Sequence, residues 1–138
     1  LTTEWLDAFE GGCDVVLEGP QATTTPPYEF SYRNGVEQID GKWYTKYSVG
    51  PVFTDTTSPE GLVTTAAEWM DAYKAQKDAE QAKSVRDDRT RLLVECDWTQ
   101  LADAPVDKVA WGEYRQALRD IPSKPGFPWD ISWPNPPG

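Results

Sequence analysis

An alternation of aromatic and polar residues from Tyr28 to Arg33 is typical of a β-strand that carries its rings on one face. The segment from Lys42 to Val49 alternates in the same way and predicts another strand. Between these segments stand Asn34-Gly35 and Asp40-Gly41, which are residue pairs that favour two-residue hairpin turns. Two such turns connect three strands, so the pattern predicts a small three-stranded antiparallel meander within residues 28–61.

A long helix is predicted over residues 62–96, because the segment contains no proline or glycine and is rich in good helix formers. Thr65 followed by Glu68 matches a capping box at the start of this helix. Its apolar stripe is thin, and such a stripe does not anchor a helix in a globular core. We therefore expect a spacer helix, or a helix that pairs with a second copy of the chain. The small residues of the stripe are Ala75, Ala79, Ala82 and Val85.

A second helix is predicted from Asp107, which can cap it, to about Asp120. Apolar residues recur along this segment at spacings of three and four, which is the pattern of one buried helix face. The break between the two helices contains Trp98, and we expect this ring to act as a wedge where the helices meet. The two helices then form an αα-corner.

Residues 122–138 hold six prolines and show no helical periodicity, so an extended tail is predicted. A free disordered tail is normally poor in large apolar side chains, but this tail contains four of them. We expect the tail either to pack on its own helices or to dock in an aromatic groove of a partner. These four residues are Phe127, Trp129, Ile131 and Trp133.

The N-terminal residues 1–27 are weakly patterned and are expected to be largely extended. Trp5, Leu6 and Phe9 could form one face of a short helical turn, and Val15 to Leu17 could form a short strand. The fold class predicted for the whole chain is α+β. Its expected segments are an N-terminal segment at 1–27, the meander at 28–61, the long helix at 62–96, and the corner with its tail at 97–138.

Composition and charge limit the possible partners. Thirteen basic and twenty-three acidic residues give a formal net charge of −10, and residues 1–60 carry ten of those acids against three bases. A chain this acidic repels phosphate groups, so neither nucleic acid nor an anionic membrane surface is an expected partner. No apolar run approaches the roughly 20 residues needed to span a bilayer. A basic protein surface is the partner that this charge favours.

The residues offer little chemistry for catalysis. The chain has no histidine, which removes the commonest general base and every imidazole metal site. Cys13 and Cys96 are not close in sequence and are expected to be reduced thiols rather than metal ligands. Asp87 and Asp88 are adjacent on a predicted helix, so their carboxylates point in different directions and cannot converge. We therefore expect no catalytic residue, no metal site, no cofactor and no enzymatic activity.

Several motifs in the last third of the chain occur in a recognisable order. Arg86 to Pro105 reads RDDRTRLLVECDWTQLADAP, Trp111 to Pro122 reads WGEYRQALRDIP, and Gly126-Phe127-Pro128 and Trp133-Pro134 follow. Over residues 86–137 this arrangement resembles the C-terminal module of phage tail assembly chaperone and tail-fibre-assembly-like proteins. The resemblance implies a non-enzymatic interaction module made in the host cytoplasm and used in the virion tail. The partners it implies are other tail, fibre or baseplate proteins.

Eight residues are the candidates for contact with a partner. Six are aromatic anchors and two are arginines that could form ion pairs across an interface. For Trp98, Trp111 and Tyr114, packing in the core is an open alternative. A carbohydrate-binding module that uses sheet aromatics such as Trp43 is an alternative function, and a small carboxylate-based enzyme is a weaker one. The eight candidates are Trp98, Trp111, Tyr114, Arg115, Arg119, Phe127, Trp129 and Trp133.

Overall fold

The computed structural model describes residues 14–138. The helical turn predicted around Trp5 and the thiol of Cys13 lie outside these described residues. The chain divides into two compact units, and the boundary between them follows Thr54. The first unit contains a sheet, and the second contains two helices and the tail, so the α+β class is confirmed.

The first unit is built around one long hairpin. Strand β2 spans Phe30–Ile39 and strand β3 spans Lys42–Gly50, and the two are antiparallel. The turn predicted at Asp40-Gly41 is present, with positive φ angles of 50° and 80° at its two residues. This hairpin places the aromatic side chains of the two strands next to each other.

The second predicted turn, at Asn34-Gly35, is wrong. Strand β2 runs through both residues, and the register shifts there because Arg33 pairs with Tyr47 while Val36 pairs with Thr45. One extra residue on β2 is thus accommodated as a β-bulge. Gly35 has a φ of 84°, a conformation that suits a bulge as well as a hairpin turn. The Asn-Gly pair therefore correctly indicates a positive φ angle, but the chain does not reverse direction there.

The third strand of the sheet comes from the segment before the predicted meander. Strand β1 spans Val16–Leu17 and pairs in parallel with β3, with Val16 opposite Trp43. The strand order is β1-β3-β2, so the sheet is mixed and the prediction of a purely antiparallel meander is wrong. Polar contacts close to β1 fix this pairing, because the backbone N–H of Gly19 donates to Oγ1 of Thr45 at 2.8 Å.

An ion-pair cluster links the residue after β1 to both of the other strands of the sheet. The Tyr47 hydroxyl donates a hydrogen bond to the Glu18 carboxylate, and Nη2 of Arg33 lies 3.0 Å from Oε2 of Glu18. The bond from Tyr47, together with the charge of Arg33, lowers the pKa of the Glu18 carboxyl. Within residues 14–54 the only buried residues are Gly19 and Gly50, so this sheet leaves its large side chains partly or fully exposed.

The second unit opens with a small hairpin that the sequence pattern missed. Strands β4 (Thr56–Thr57) and β5 (Val63–Thr64) pair in antiparallel orientation. Strand β4 lies in the segment assigned to the meander, and β5 occupies the first residues of the segment predicted as the long helix, which begins only at Ala66. The Trp69 indole N–H donates to Oγ1 of Thr56 at 3.0 Å. The hairpin is therefore tied to the first turn of the helix that follows.

Helix α1 spans Ala66–Glu95, and its 30 residues confirm the predicted long helix. The capping box between Thr65 and Glu68 is also present. Of the small-residue stripe, only Ala82 and Val85 are buried, while the positions nearer the N-terminus are exposed. The C-terminal half of the helix therefore carries the packing, and the pairing of two such helices stays a prediction.

The second helix and the core follow from the end of α1. A 3₁₀ helix at Asp97–Gln100 leads to helix α2 at Lys108–Asp120, and a short 3₁₀ turn at Ile121–Ser123 comes after it. The predicted cap at Asp107 is confirmed, since its Oδ1 accepts hydrogen bonds from two backbone N–H groups at 3.0 and 3.1 Å. The core of this unit contains the buried side chains of Val85, Cys96, Tyr114, Leu118 and Ile121.

Candidate functional site

Arg115 fastens helix α2 to the end of helix α1. Its Nη1 donates to the carbonyl oxygen of Leu93 at 2.8 Å and lies 3.1 Å from Sγ of Cys96. Its Nη2 donates to Oδ1 of Asp97 at 2.7 Å. Burial acts to lower the pKa of Arg115, but the hydrogen bonds to Asp97 and Cys96 outweigh it and raise the pKa overall. The guanidinium therefore stays charged and holds the corner in one geometry.

Thr99 is the buried residue at the turn between the helices. It is 0% exposed, and its Oγ1 donates to the carbonyl oxygen of Cys96 at 2.6 Å. Its own backbone N–H donates to the same oxygen at 3.1 Å, so one carbonyl at the helix end is satisfied twice. We expected Trp98 to be the wedge here, but its ring is 49% exposed and the smaller Thr99 fills the interior.

Three aromatic rings form a row beside the corner. The centroids of Trp98 and Trp111 lie 6.4 Å apart, and those of Trp111 and Tyr114 lie 5.6 Å apart in an edge-on arrangement. The row runs from an exposed ring at Trp98 to a buried ring at Tyr114. Burial raises the pKa of Tyr114, and the negative charge of Glu95 acts in the same direction. The candidate from the 3₁₀ helix and the two aromatic candidates from α2 are thus brought together.

The tail packs against the long helix of its own unit. The Trp129 indole N–H donates to Oδ1 of Asp78 at 2.6 Å, and the Arg86 guanidinium lies over the Phe127 ring at 5.4 Å. Phe127 and Ile131 also contact the core. Of the two arrangements left open by the sequence, the structure has the intramolecular one for this part of the tail. Trp133, further along, is 38% exposed.

The segment that contains the corner, helix α2 and the tail matches a known family. A family model described as phage tail assembly chaperone protein covers residues 82–138. This segment, which we call the chaperone-family segment because of that match, is similar to the phage tail assembly chaperone family, and the match covers less than half of the chain. The resemblance inferred from the sequence motifs is thereby confirmed. No curated protein and no solved structure matches the chain.

All eight candidate contact residues lie in the chaperone-family segment, but they differ in exposure. Arg115 and Tyr114 are buried, Arg119 is exposed in the last turn of α2, and the others lie between these extremes or at the surface. Three apolar side chains in this part of the chain are more exposed than any of the six aromatic candidates. We use the name corner surface for four exposed apolar side chains between the last turn of α1 and the first turn of α2, which are Val94, Trp98, Leu101 and Val109.

A small pocket lies beside the aromatic row within the same chaperone-family segment. It encloses about 230 Å³ between the last turns of α1, one face of α2 and the tail. Sequence reasoning did not find it, because its walls come from three segments that are distant in sequence. We call it the Tyr114 pocket, and its lining residues are Leu92, Glu95, Cys96, Trp111, Tyr114 and Pro136.

Other site types find little support in the part of the chain that the structure describes. Among residues 14–138, no cluster of three or more histidine, cysteine, aspartate or glutamate side chains is arranged to hold a metal ion. Across the same residues, no helix combines the length and apolar character needed to cross a membrane. Trp43, the candidate for carbohydrate stacking, is half-buried and its indole N–H donates to Oδ2 of Asp14 at 3.1 Å.

Proposed function

We propose that this protein is a non-enzymatic phage tail assembly factor that binds a tail fibre or baseplate protein through its corner surface. The match of residues 82–138 to the tail assembly chaperone family supports the assembly role. The choice of partner, and the place where it binds, are the steps that this proposal adds.

The observation that carries the proposal is the exposure of large apolar side chains on a rigid framework. Trp98 is 49% exposed, and Val109, in the first turn of α2, is 72% exposed. Exposed apolar groups that lie close together mark interaction surfaces, and tryptophan is enriched among residues that dominate binding energy. Beneath them, the bonds of Thr99 and Arg115 hold the backbone in place. A surface that is ordered before binding loses little entropy when a partner docks.

The proposal is tested by measuring binding to each tail protein of the same phage, using the full chain and isothermal titration calorimetry. We expect one tail protein to bind, and Trp98→Ala to weaken that binding at least tenfold. Val109→Ser should also weaken binding. Its matched control is Val52→Ser, because Val52 is 68% exposed but lies in the first unit.

Equal binding by the wild-type chain and by both corner variants would show that the partner docks elsewhere. Whether the protein remains in the finished virion needs a separate measurement. A permanent tail component is detected by mass spectrometry of purified virions at a fixed copy number per particle. A transient chaperone is found in infected cells and is lost from purified virions.

A further inference from the structure

The Tyr114 pocket has the size of a site for one side chain. Pockets that bind small molecules usually enclose about 300–1,000 Å³. At about 230 Å³, this pocket is below that range. Its place beside the corner surface also suits a single anchor residue of a docked protein, since such anchors commonly fill one pocket near the centre of an interface.

The walls of the pocket are suited to a positive charge on an apolar stem. Trp111 and Tyr114 provide aromatic rings, and the faces of such rings attract cations. Glu95 adds a carboxylate whose side chain is 57% exposed. Leu92 and Pro136 provide apolar surface for the methylene groups of a long side chain.

The end of helix α1 adds to this negative character. Glu95 is the last residue of the helix, where the macrodipole is negative and a cation is favoured. That last turn, all of which the structure describes, contains no basic residue of its own, and Arg115 from helix α2 donates to its Leu93 carbonyl rather than to the Glu95 carboxylate. Over residues 55–138 the chain carries fifteen acidic and ten basic residues, a net charge of −5. A positively charged partner is therefore attracted before it makes contact.

We propose that the Tyr114 pocket receives an arginine side chain from an extended segment of the bound tail protein. This inference rests on the proposed function for the identity of the partner but not for the chemistry of the pocket. Arginine fits better than lysine, because its planar guanidinium can stack on the Trp111 ring and bond the Glu95 carboxylate with two N–H groups.

Arg91 is the group that would compete for this carboxylate. Its Nη1 lies 2.8 Å from Oε1 of Glu95, and both side chains are more than half exposed. Exposed ion pairs within a helix contribute little to stability, so their side chains change partners readily. Arg91 also lies 3.8 Å from Asp88, so it keeps a second partner when Glu95 turns to an incoming arginine.

The first arm of the test uses a peptide probe and needs no phage partner. The full chain is titrated with Ac-Pro-Arg-Pro-NH₂ and with Ac-Pro-Gln-Pro-NH₂, and the indole N–H signal of Trp111 is followed by NMR. The prolines keep the probe extended. We expect a saturable shift with the arginine peptide and binding at least fivefold weaker with the glutamine peptide. Equal responses to the two peptides would overturn the inference.

Charge-reversal variants make up the second arm. Glu95→Arg should weaken binding of the arginine peptide at least tenfold. Glu80→Arg, on the same helix but outside the pocket, should leave that binding unchanged. Glu95→Gln keeps the shape of the side chain and should weaken binding about threefold, and circular dichroism checks that each variant folds. Unchanged binding by Glu95→Arg would also overturn the inference.

The two proposals can fail separately. Suppose that a tail protein binds and that Trp98→Ala weakens this binding. If Glu95→Arg then changes neither the binding of that protein nor the binding of the peptide, the pocket inference is wrong and the proposed function stands. If no tail protein binds but the arginine peptide still depends on Glu95, the pocket is supported and the proposed function is wrong.

Discussion

The indole Nε1 of Trp129 donates a hydrogen bond to Oδ1 of Asp78 across 2.6 Å, although the two residues lie 51 positions apart. The contact joins the tail to the middle of the long helix. Phe127, two residues earlier, lies under Arg86 and against the core. The tail is therefore part of the folded second unit, and its removal exposes apolar surface on helix α1.

Truncation after Ser123 should consequently lower the melting temperature and the helix content seen by circular dichroism. The single change Trp129→Phe should reduce the free energy of unfolding by about 1.5 kcal/mol, because it removes one hydrogen bond to a charged group. Trp133→Phe is the control, and a surface change of this kind should cost less than about 0.5 kcal/mol. A truncated chain with the melting curve of the intact protein would show that the tail contributes nothing to stability.

Arg115→Lys should destabilise the corner by about 1–3 kcal/mol, because one ammonium cannot replace a planar group that reaches Leu93, Cys96 and Asp97 at once. Arg119→Lys, four residues later on an exposed position, should change stability by less than about 0.5 kcal/mol. Urea denaturation of the two variants compares them directly. Equal midpoints would mean that the bonds of Arg115 are not needed.

Gly112→Ala should stabilise helix α2 by about 0.5–1 kcal/mol, since glycine inside a helix has an entropic cost. A Cβ atom built at Gly112 meets nothing within 4 Å, so the extra methyl group has room. Thermal unfolding measures the effect. A lower melting temperature would show that the space beside Gly112 is filled.

Gly19→Ala should have the opposite effect in the first unit. A Cβ atom there would lie 1.9 Å from the carbonyl oxygen of Thr45, so the chain has to move away from β3. We expect loss of the bond from the Gly19 N–H to Thr45 and faster amide exchange in β1. Amide protection equal to that of the wild type would contradict this expectation.

The Glu18 carboxyl should make stability depend on pH in the acid range. Its pKa in the folded state is below the ordinary value of 4.5, mainly through the hydrogen bond from Tyr47. Its stabilising contribution is therefore present above pH 4.5 and is lost as the pH falls through the folded pKa. Tyr47→Phe should raise the pKa of Glu18, and NMR titration of the carboxyl measures it. Tyr44→Phe is the control, because Tyr44 and Tyr47 are three positions apart on β3 and an odd separation places their side chains on opposite faces. An unchanged pKa of Glu18 in Tyr47→Phe would contradict the assignment.

Local signals in the sequence predicted the helices well. The capping box of Thr65 and Glu68 and the cap at Asp107 depend on neighbours within three residues, so the sequence alone identifies them. The Asn34-Gly35 pair shows the limit of such signals. Both a turn and a bulge need positive φ, and only the pairing of Arg33 and Val36 with β3 decides between them.

In the candidate site, too, some features follow from residue type and others only from how distant segments pack. The aromatic candidates in the break and on the second helix are identified from their residue type, and the structure brings Trp98, Trp111 and Tyr114 together. The internal bonds of Arg115 and the complete burial of Thr99 were missed, because both depend on where α2 meets the end of α1. The Tyr114 pocket was missed for the same reason.

The bulge at Asn34-Gly35 also affects how copies of the protein behave towards each other. Among the described strands, β2 lies at the edge of the sheet, and a regular edge of ten residues is a template on which identical chains can stack into aggregates. The extra residue interrupts the line of backbone donors and acceptors and increases the local twist. A second β2 strand cannot follow that edge along its whole length, which disfavours edge-to-edge aggregation of the sheet.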